Sequence, residues 1–140
     1  MMNQPLSTIM TKDVVTVTPQ DSLSKVKKLI FDNRFHHIPV IENGKLAGIV
    51  TSYDLMKLNK TFEEYENIKV EEVMTKKVLA LKANEKIGTA AQIFLRQLFH
   101  GLPIVDEDNV LKGIVTTHDI LRHNYDQAYP DDSLEKAYRS

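Results

Sequence analysis

Hydrophobic positions along this chain change period from two to about 3.6 and back, and they do so twice in the same order. Residues 14–18 are a short β-prone run. Leu23, Val26, Leu29 and Ile30 then recur at helical spacing, behind Gln20, Asp21 and Ser22, which offer N-cap side chains. Residues 37–41 read as a buried strand. Asn43-Gly44 is a strong hairpin-turn signal, and residues 46–51 close the hairpin. A second helix is predicted to start at Thr51. In the second half the β-prone run is 78–82, and the helical stripe is Ile87, Ala90, Ala91, Phe94 and Leu98. Strands follow at 102–105 and 111–116, with a helix from Thr116. Strand, helix, strand, strand, helix, twice over, is an α+β pattern.

The two halves also repeat in identity. Met10-Thr11-Lys12-Asp13-Val14 returns as Met74-Thr75-Lys76-Lys77-Val78, and Phe35-His36-His37-Ile38-Pro39 as Phe99-His100-Gly101-Leu102-Pro103, both at an offset of 64 residues. The segment from Gly48 to Met56 matches Gly113 to Leu121 at an offset of 65. The added residue falls in the hairpin turn, where an insertion costs least. The repeat divides the chain into a first domain at 6–58, a linker at 59–69, a second domain at 70–123 and a tail at 124–140. A unit of about 60 residues buries little apolar surface alone. Two copies packed about a pseudo-twofold axis are expected to share a core and to leave two equivalent clefts. Glu63, Glu64 and Glu66 in the joining segment read as a solvated surface. In the tail, Asp132 or Ser133 can cap a final short helix.

Composition narrows the function classes. The net charge is −1, so no basic excess is available for a run of nucleic-acid phosphates. A local phosphate pocket needs only two or three groups and stays open. There are no cysteines, which excludes disulfides, thiolate metal sites and a cysteine nucleophile. The first ten residues show no signal-peptide pattern, and no apolar run approaches the ~20 residues that span a bilayer. The expectation is a cytoplasmic protein with no membrane insertion.

The repeated motifs resemble those of the CBS domain, and the resemblance covers roughly residues 6–123. They are Met10-Thr11, His36-His37-Ile38-Pro39-Val40 and Gly48-Ile49-Val50-Thr51-Ser52-Tyr53-Asp54, then Met74-Thr75, His100-Gly101-Leu102-Pro103-Ile104 and Gly113-Ile114-Val115-Thr116-Thr117-His118-Asp119. The resemblance implies a Bateman module, two βαββα repeats in one compact unit. It implies an adenine nucleotide as ligand (AMP, ADP or ATP), with S-adenosylmethionine as an alternative and magnesium only alongside ATP. It also implies a regulatory, energy-sensing role, a homodimer, and a separate protein that reads the signal.

Carried over residue by residue, the resemblance assigns phosphate to the Thr51 and Thr116 hydroxyls and the ribose diol to Asp54 and Asp119. Adenine would lie between the strand of Pro39 or Pro103 and the first β run, in an apolar slot at the strand edges near Val15, Val17, Pro39 and Ile41, with Thr16 and Thr18 nearby. His36, His37 and His100 fill positions that carry basic, phosphate-reaching groups in some members. Gly101 departs from that pattern, so the two sites are expected to be unequal. Arg34 and Arg96 are further phosphate candidates, or solvated helix-face charges.

Plainer explanations exist for the same residues. Thr-x-x-Asp is a near capping box and needs no ligand to explain it. His36 and His37 are adjacent in an extended segment, where neighbouring side chains point to opposite faces. His118 and His123 lack the i, i+4 spacing of a zinc helix. No metal site is expected. No P-loop, HExxH or nucleophile–base arrangement is visible, and an enzyme is not expected. A ligand-free dimerisation scaffold is the competing reading.

Overall fold

The computed structural model describes residues 2–33, 35–97 and 100–131. Its elements are α1 (Leu23–Asn33), β1 (His37–Glu42), β2 (Lys45–Thr51), α2 (Ser52–Leu58), α3 (Phe62–Tyr65), α4 (Ile87–Gln97), β3 (Gly101–Val105), β4 (Leu111–Thr116) and α5 (Thr117–Ala128). Single 3-10 turns form at Leu6–Thr8 and Val70–Glu72. The predicted tail helix, Arg34 and Leu98 lie outside the described residues.

Each repeat folds around one antiparallel hairpin. In the first, Asn43 and Gly44 both take positive φ, 53° and 77°, which fits the twist of a two-residue turn. In the second, Asp106 Oδ1 accepts from the backbone N–H of Asp108 and Val110, and Asn109 takes the left-handed conformation at φ 63°. Both hairpins carry a bulge at the same place, between Val40 and Ile41 and between Ile104 and Val105. The two turns meet at one end of the module, where Leu46 N–H donates to Asn109 O at 3.0 Å and Asn109 Nδ2 donates back to Leu46 O at 3.0 Å.

The predicted first strands shrink to single bridges. Val17 pairs in parallel with Val40, its N–H donating to Pro39 O at 3.1 Å and its carbonyl accepting from Ile41 N–H at 2.8 Å. Leu81 does the same with Pro103, Ile104 and Val105. Proline explains the stop. The next bond of a parallel ladder would need an N–H from Pro39 or Pro103, and neither has one. In the first repeat Pro19 closes the other end in the same way.

The outer edge of each hairpin is covered by the segment that opens the other repeat. Thr75 exchanges two backbone bonds with Ile49 (3.0 and 2.9 Å), and Thr11 does so with Ile114 (2.9 and 3.0 Å). Glycine permits these approaches. A Cβ on Gly48 would lie 2.7 Å from Thr75 O and 2.8 Å from Met74 Sδ, and one on Gly113 would lie 2.7 Å from Thr11 O and 2.9 Å from Met10 Sδ.

Packing follows the exchange, and the core is two clusters where sequence reasoning expected one. Val70 is fully buried with Val17, Leu23, Ile38 and Val50 of the first repeat. Leu6 is fully buried with Ile87, Phe94, Ile104 and Val115 of the second. The joining segment is likewise more than a solvated linker. Glu63, Glu64 and Glu66 are exposed, but Tyr65 is buried and donates its hydroxyl to Leu55 O at 3.1 Å.

Candidate functional site

The end of the module opposite the turns opens into a cleft of about 940 Å³, within the range of roughly 300–1,000 Å³ usual for small-molecule sites. The first repeat contributes His36, His37, Ile49 and the β2–α2 junction from Thr51 to Asp54. Thr75, Lys77, Val78 and Leu79 also line it, with Lys57 from α2 and His100, Gly101, Leu102 and Thr117 from the second repeat. The wall from Thr75 to Leu79 is there because Thr75 is bonded to the edge of β2.

The β2–α2 junction is locally determined. Thr51 is extended (φ −124°, ψ 163°) and begins α2 with a reciprocal capping box. Asp54 N–H donates to Thr51 Oγ1 at 3.2 Å, and Thr51 N–H donates to Asp54 Oδ2 at 2.8 Å. Thr116 and Asp119 repeat this at α5, at 3.2 and 2.9 Å. The capping explanation is therefore real, but it does not exhaust these groups. The Thr51 hydroxyl proton is free to donate, and Asp54 Oδ1 has no hydrogen-bond partner among the described residues.

Three histidines, His36, His37 and His100, line the cleft. The His37 and His100 rings stand 6.4 Å apart, tilted by 55°. Burial pushes the His37 pKa down to about 4, with further lowering from His100 and His36, while the Asp54 carboxylate works weakly the other way. An anion placed here would favour the charged ring. His36 and His37 both line the cleft, although the strand alternation predicted opposite faces. His36 precedes β1, so the alternation does not bind it. Ser52 Oγ lies 3.5 Å from His36 Nδ1, the outer limit of a hydrogen bond, and no carboxylate orients that ring through a hydrogen bond among the described residues. This is not an activated nucleophile.

Of the residues singled out from sequence, Thr51, Asp54, His36, His37 and His100 come together here. Thr16, Thr18, Pro39, Pro103, Thr116 and Asp119 do not line this cleft. Pro39 and Pro103 are buried within strands, and Val17 is buried in the first core. The strand edges near Val15, Val17, Pro39 and Ile41, where an apolar slot was expected, do not line this cleft, whose apolar surface comes from Ile49, Val78, Leu79 and Leu102. Arg96 is exposed on α4 and outside the cleft. Sequence reasoning missed Tyr53, Lys57, Thr75, Lys77 and Leu79. A glycine inside each second strand, Gly48 and Gly113, was the available sign that another backbone approaches there.

Among the described residues no three His, Cys, Asp or Glu side chains are grouped to hold a metal, and no helix is long and apolar enough to cross a membrane.

The CBS-domain family pattern matches residues 6–60 and again 70–126. The chain belongs to the CBS-domain family. This CBS pair is similar to protein MJ1225 of Methanocaldococcus jannaschii, at 32% identity and a TM-score of 0.81 over 87% of this chain and 48% of that one. It is similar to CBSX2, solved in complex with AMP, at 26% identity and a TM-score of 0.79 over 89% and 98%. It also resembles the CBS domain pair of protein MJ0100, solved with 5′-methylthioadenosine and S-adenosyl-L-methionine, at 27% identity and a TM-score of 0.78 over 89% and 98%. The CBS pair spans about half the length of the curated relatives it matches first, 47% and 52%. Two βαββα repeats about a pseudo-twofold axis, in one compact module, are the fold these relatives share with it.

Proposed function

We propose that this CBS pair is a non-catalytic regulatory module that binds an adenosyl ligand in the Thr51 cleft and reports its occupancy to a partner protein. One observation carries the reading: Thr51, Asp54, His37, Lys57 and Lys77 converge, from both repeats, on one cavity of nucleotide size. The Thr51 hydroxyl donates to a phosphate or 5′-substituent, and Asp54 Oδ1 accepts from the ribose diol. Val78, Leu79 and Leu102 flank the base. AMP in CBSX2 and the methylthioadenosine and S-adenosylmethionine in the MJ0100 pair support an adenosyl ligand. Because the walls belong to different repeats, a ligand that binds one spacing of the repeats better than another shifts the module towards it.

The partner begins with a second copy. Met56 on α2 and Leu121 on α5 are exposed apolar residues at equivalent positions of the two repeats, and Tyr53 and Tyr125 are exposed on the same two helices. A second copy presents the same pair of faces and can cover both at once, as a closed twofold assembly requires. These faces also favour the competing reading, a scaffold whose capping boxes serve only their helices.

Thermal unfolding against AMP, ADP, ATP, 5′-methylthioadenosine and S-adenosylmethionine separates the two. Ligand at about 100 times its dissociation constant adds about 2.7 kcal/mol, a shift of roughly 5–15 °C for a domain of this size. No shift with any of the five, from nucleotide-free protein, supports the scaffold.

A further inference from the structure

The backbone around Thr116 repeats the backbone of the Thr51 cleft, and the charges on the two differ. Thr75 bonds to Ile49 as Thr11 bonds to Ile114, with distances equal within 0.1 Å. Gly48 meets Thr75 and Met74 as Gly113 meets Thr11 and Met10. The capping boxes of Thr51 and Thr116 also match. Position 13 therefore stands towards Thr116 as position 77 stands towards Thr51. Position 77 is lysine and position 13 is aspartate. Lys57 corresponds to Arg122, whose Nη2 is engaged 2.8 Å from His118 Nε2, and His37 corresponds to Gly101. In the Thr51 cleft Lys57 and Lys77 outnumber Asp54. At the equivalent positions around Thr116, Asp13 and Asp119 outnumber Arg122.

We propose that the surroundings of Thr116 form a second ligand site and that the two sites select different charge forms of an adenosyl ligand: the Thr51 cleft takes a phosphorylated nucleoside held by Lys57 and Lys77, and the Thr116 site takes an uncharged or cationic one. This rests on the adenosyl reading above. A phosphate carries between one and two negative charges at neutral pH, so exchanging a lysine for an aspartate beside it turns attraction into repulsion. An adenosine with no phosphate, or one bearing a positive centre, meets no such penalty beside Asp13. The buried His37 ring adds to the contrast, since it gains a proton most readily beside an anion and has no counterpart at Gly101.

The test is calorimetric titration of the full chain with AMP and, separately, with adenosine. The proposal expects one AMP site per wild-type chain. Lys77→Asp weakens AMP about tenfold or more at low salt, while adenosine changes less than about threefold. Asp13→Lys, at an exposed position, creates a second AMP site. Two AMP sites of like affinity in the wild type would overturn the proposal, as would equal losses of AMP and adenosine in Lys77→Asp. If wild-type protein binds neither AMP nor adenosine, the adenosyl reading itself fails, an outcome separate from a failure of selectivity.

Discussion

The imidazole of His37 occupies the space that a side chain at position 101 would need: a Cβ on Gly101 would stand 3.0 Å from its Cγ. The glycine that breaks the repeat is thus what lets the histidine of the first copy sit across the pseudo-twofold axis, beside His100.

That burial makes stability depend on pH. The folded-state pKa of His37, about 4, lies below its ordinary 6.5, so the unfolded chain binds the proton more readily. The stability linked to His37 is complete above pH 6.5 and is lost as pH falls towards 4. Between pH 7.5 and pH 5 the loss is about 2 kcal/mol. Urea unfolding at the two pH values should show it in the wild type and not in His37→Gln. The same loss in both proteins would place the titration elsewhere.

The exchanged segments should be visible in mutants. Gly48→Ala and Gly113→Ala each force a Cβ against a carbonyl oxygen of the other segment, and each should cost about 1–3 kcal/mol. Gly44→Ala meets no neighbour and bears only the strain of positive φ, about 1 kcal/mol. Leu6→Ala should cost about 2–5 kcal/mol. Hydrogen exchange in that variant should rise in β3 and β4 before β1 and β2, because Leu6 belongs to the second core. Faster exchange in the first hairpin would contradict the exchange of segments.

Association should depend on the outer faces of α2 and α5. Met56 is 72% exposed and Leu121 67%. Met56→Glu with Leu121→Glu should turn a wild-type dimer into a folded monomer, read by light scattering at micromolar concentration. A monomeric wild type, or a variant that still dimerises, would remove the second copy from the account.

Much of this architecture was legible in the sequence because its signals are local. Asn43-Gly44 specifies a turn, Thr51 and Asp54 specify a helix start, and the repeat makes each inference twice. Sequence reasoning failed where the decisive partner is distant. Residues 14–18 and 78–82 have strand composition, yet the prolines of the neighbouring strands stop the ladder after one bridge. The cleft around Thr51 takes Lys77 and Leu79 from the other repeat, which no local pattern announces. The slot expected near Val15, Val17, Pro39 and Ile41 lies outside the Thr51 cleft, and two of its four residues, Val17 and Pro39, are buried. Charge asymmetry between the surroundings of Thr51 and Thr116 was half visible as Gly101 and became complete only when Lys77 and Asp13 acquired equivalent places.

The central claim is that an adenosyl ligand binds against Asp54, and a ligand–mutant cycle tests it most directly. AMP and its 2′,3′-dideoxy analogue would be titrated into wild type, Asp54→Ala and Asp119→Ala. The two single variants lose the same kind of helix cap, at about 0.5–2 kcal/mol of stability. The account predicts that wild type prefers AMP over the analogue, that Asp54→Ala abolishes the preference, and that Asp119→Ala keeps it. A preference that survives in Asp54→Ala would contradict the assignment of the ribose to Asp54, and with it this site.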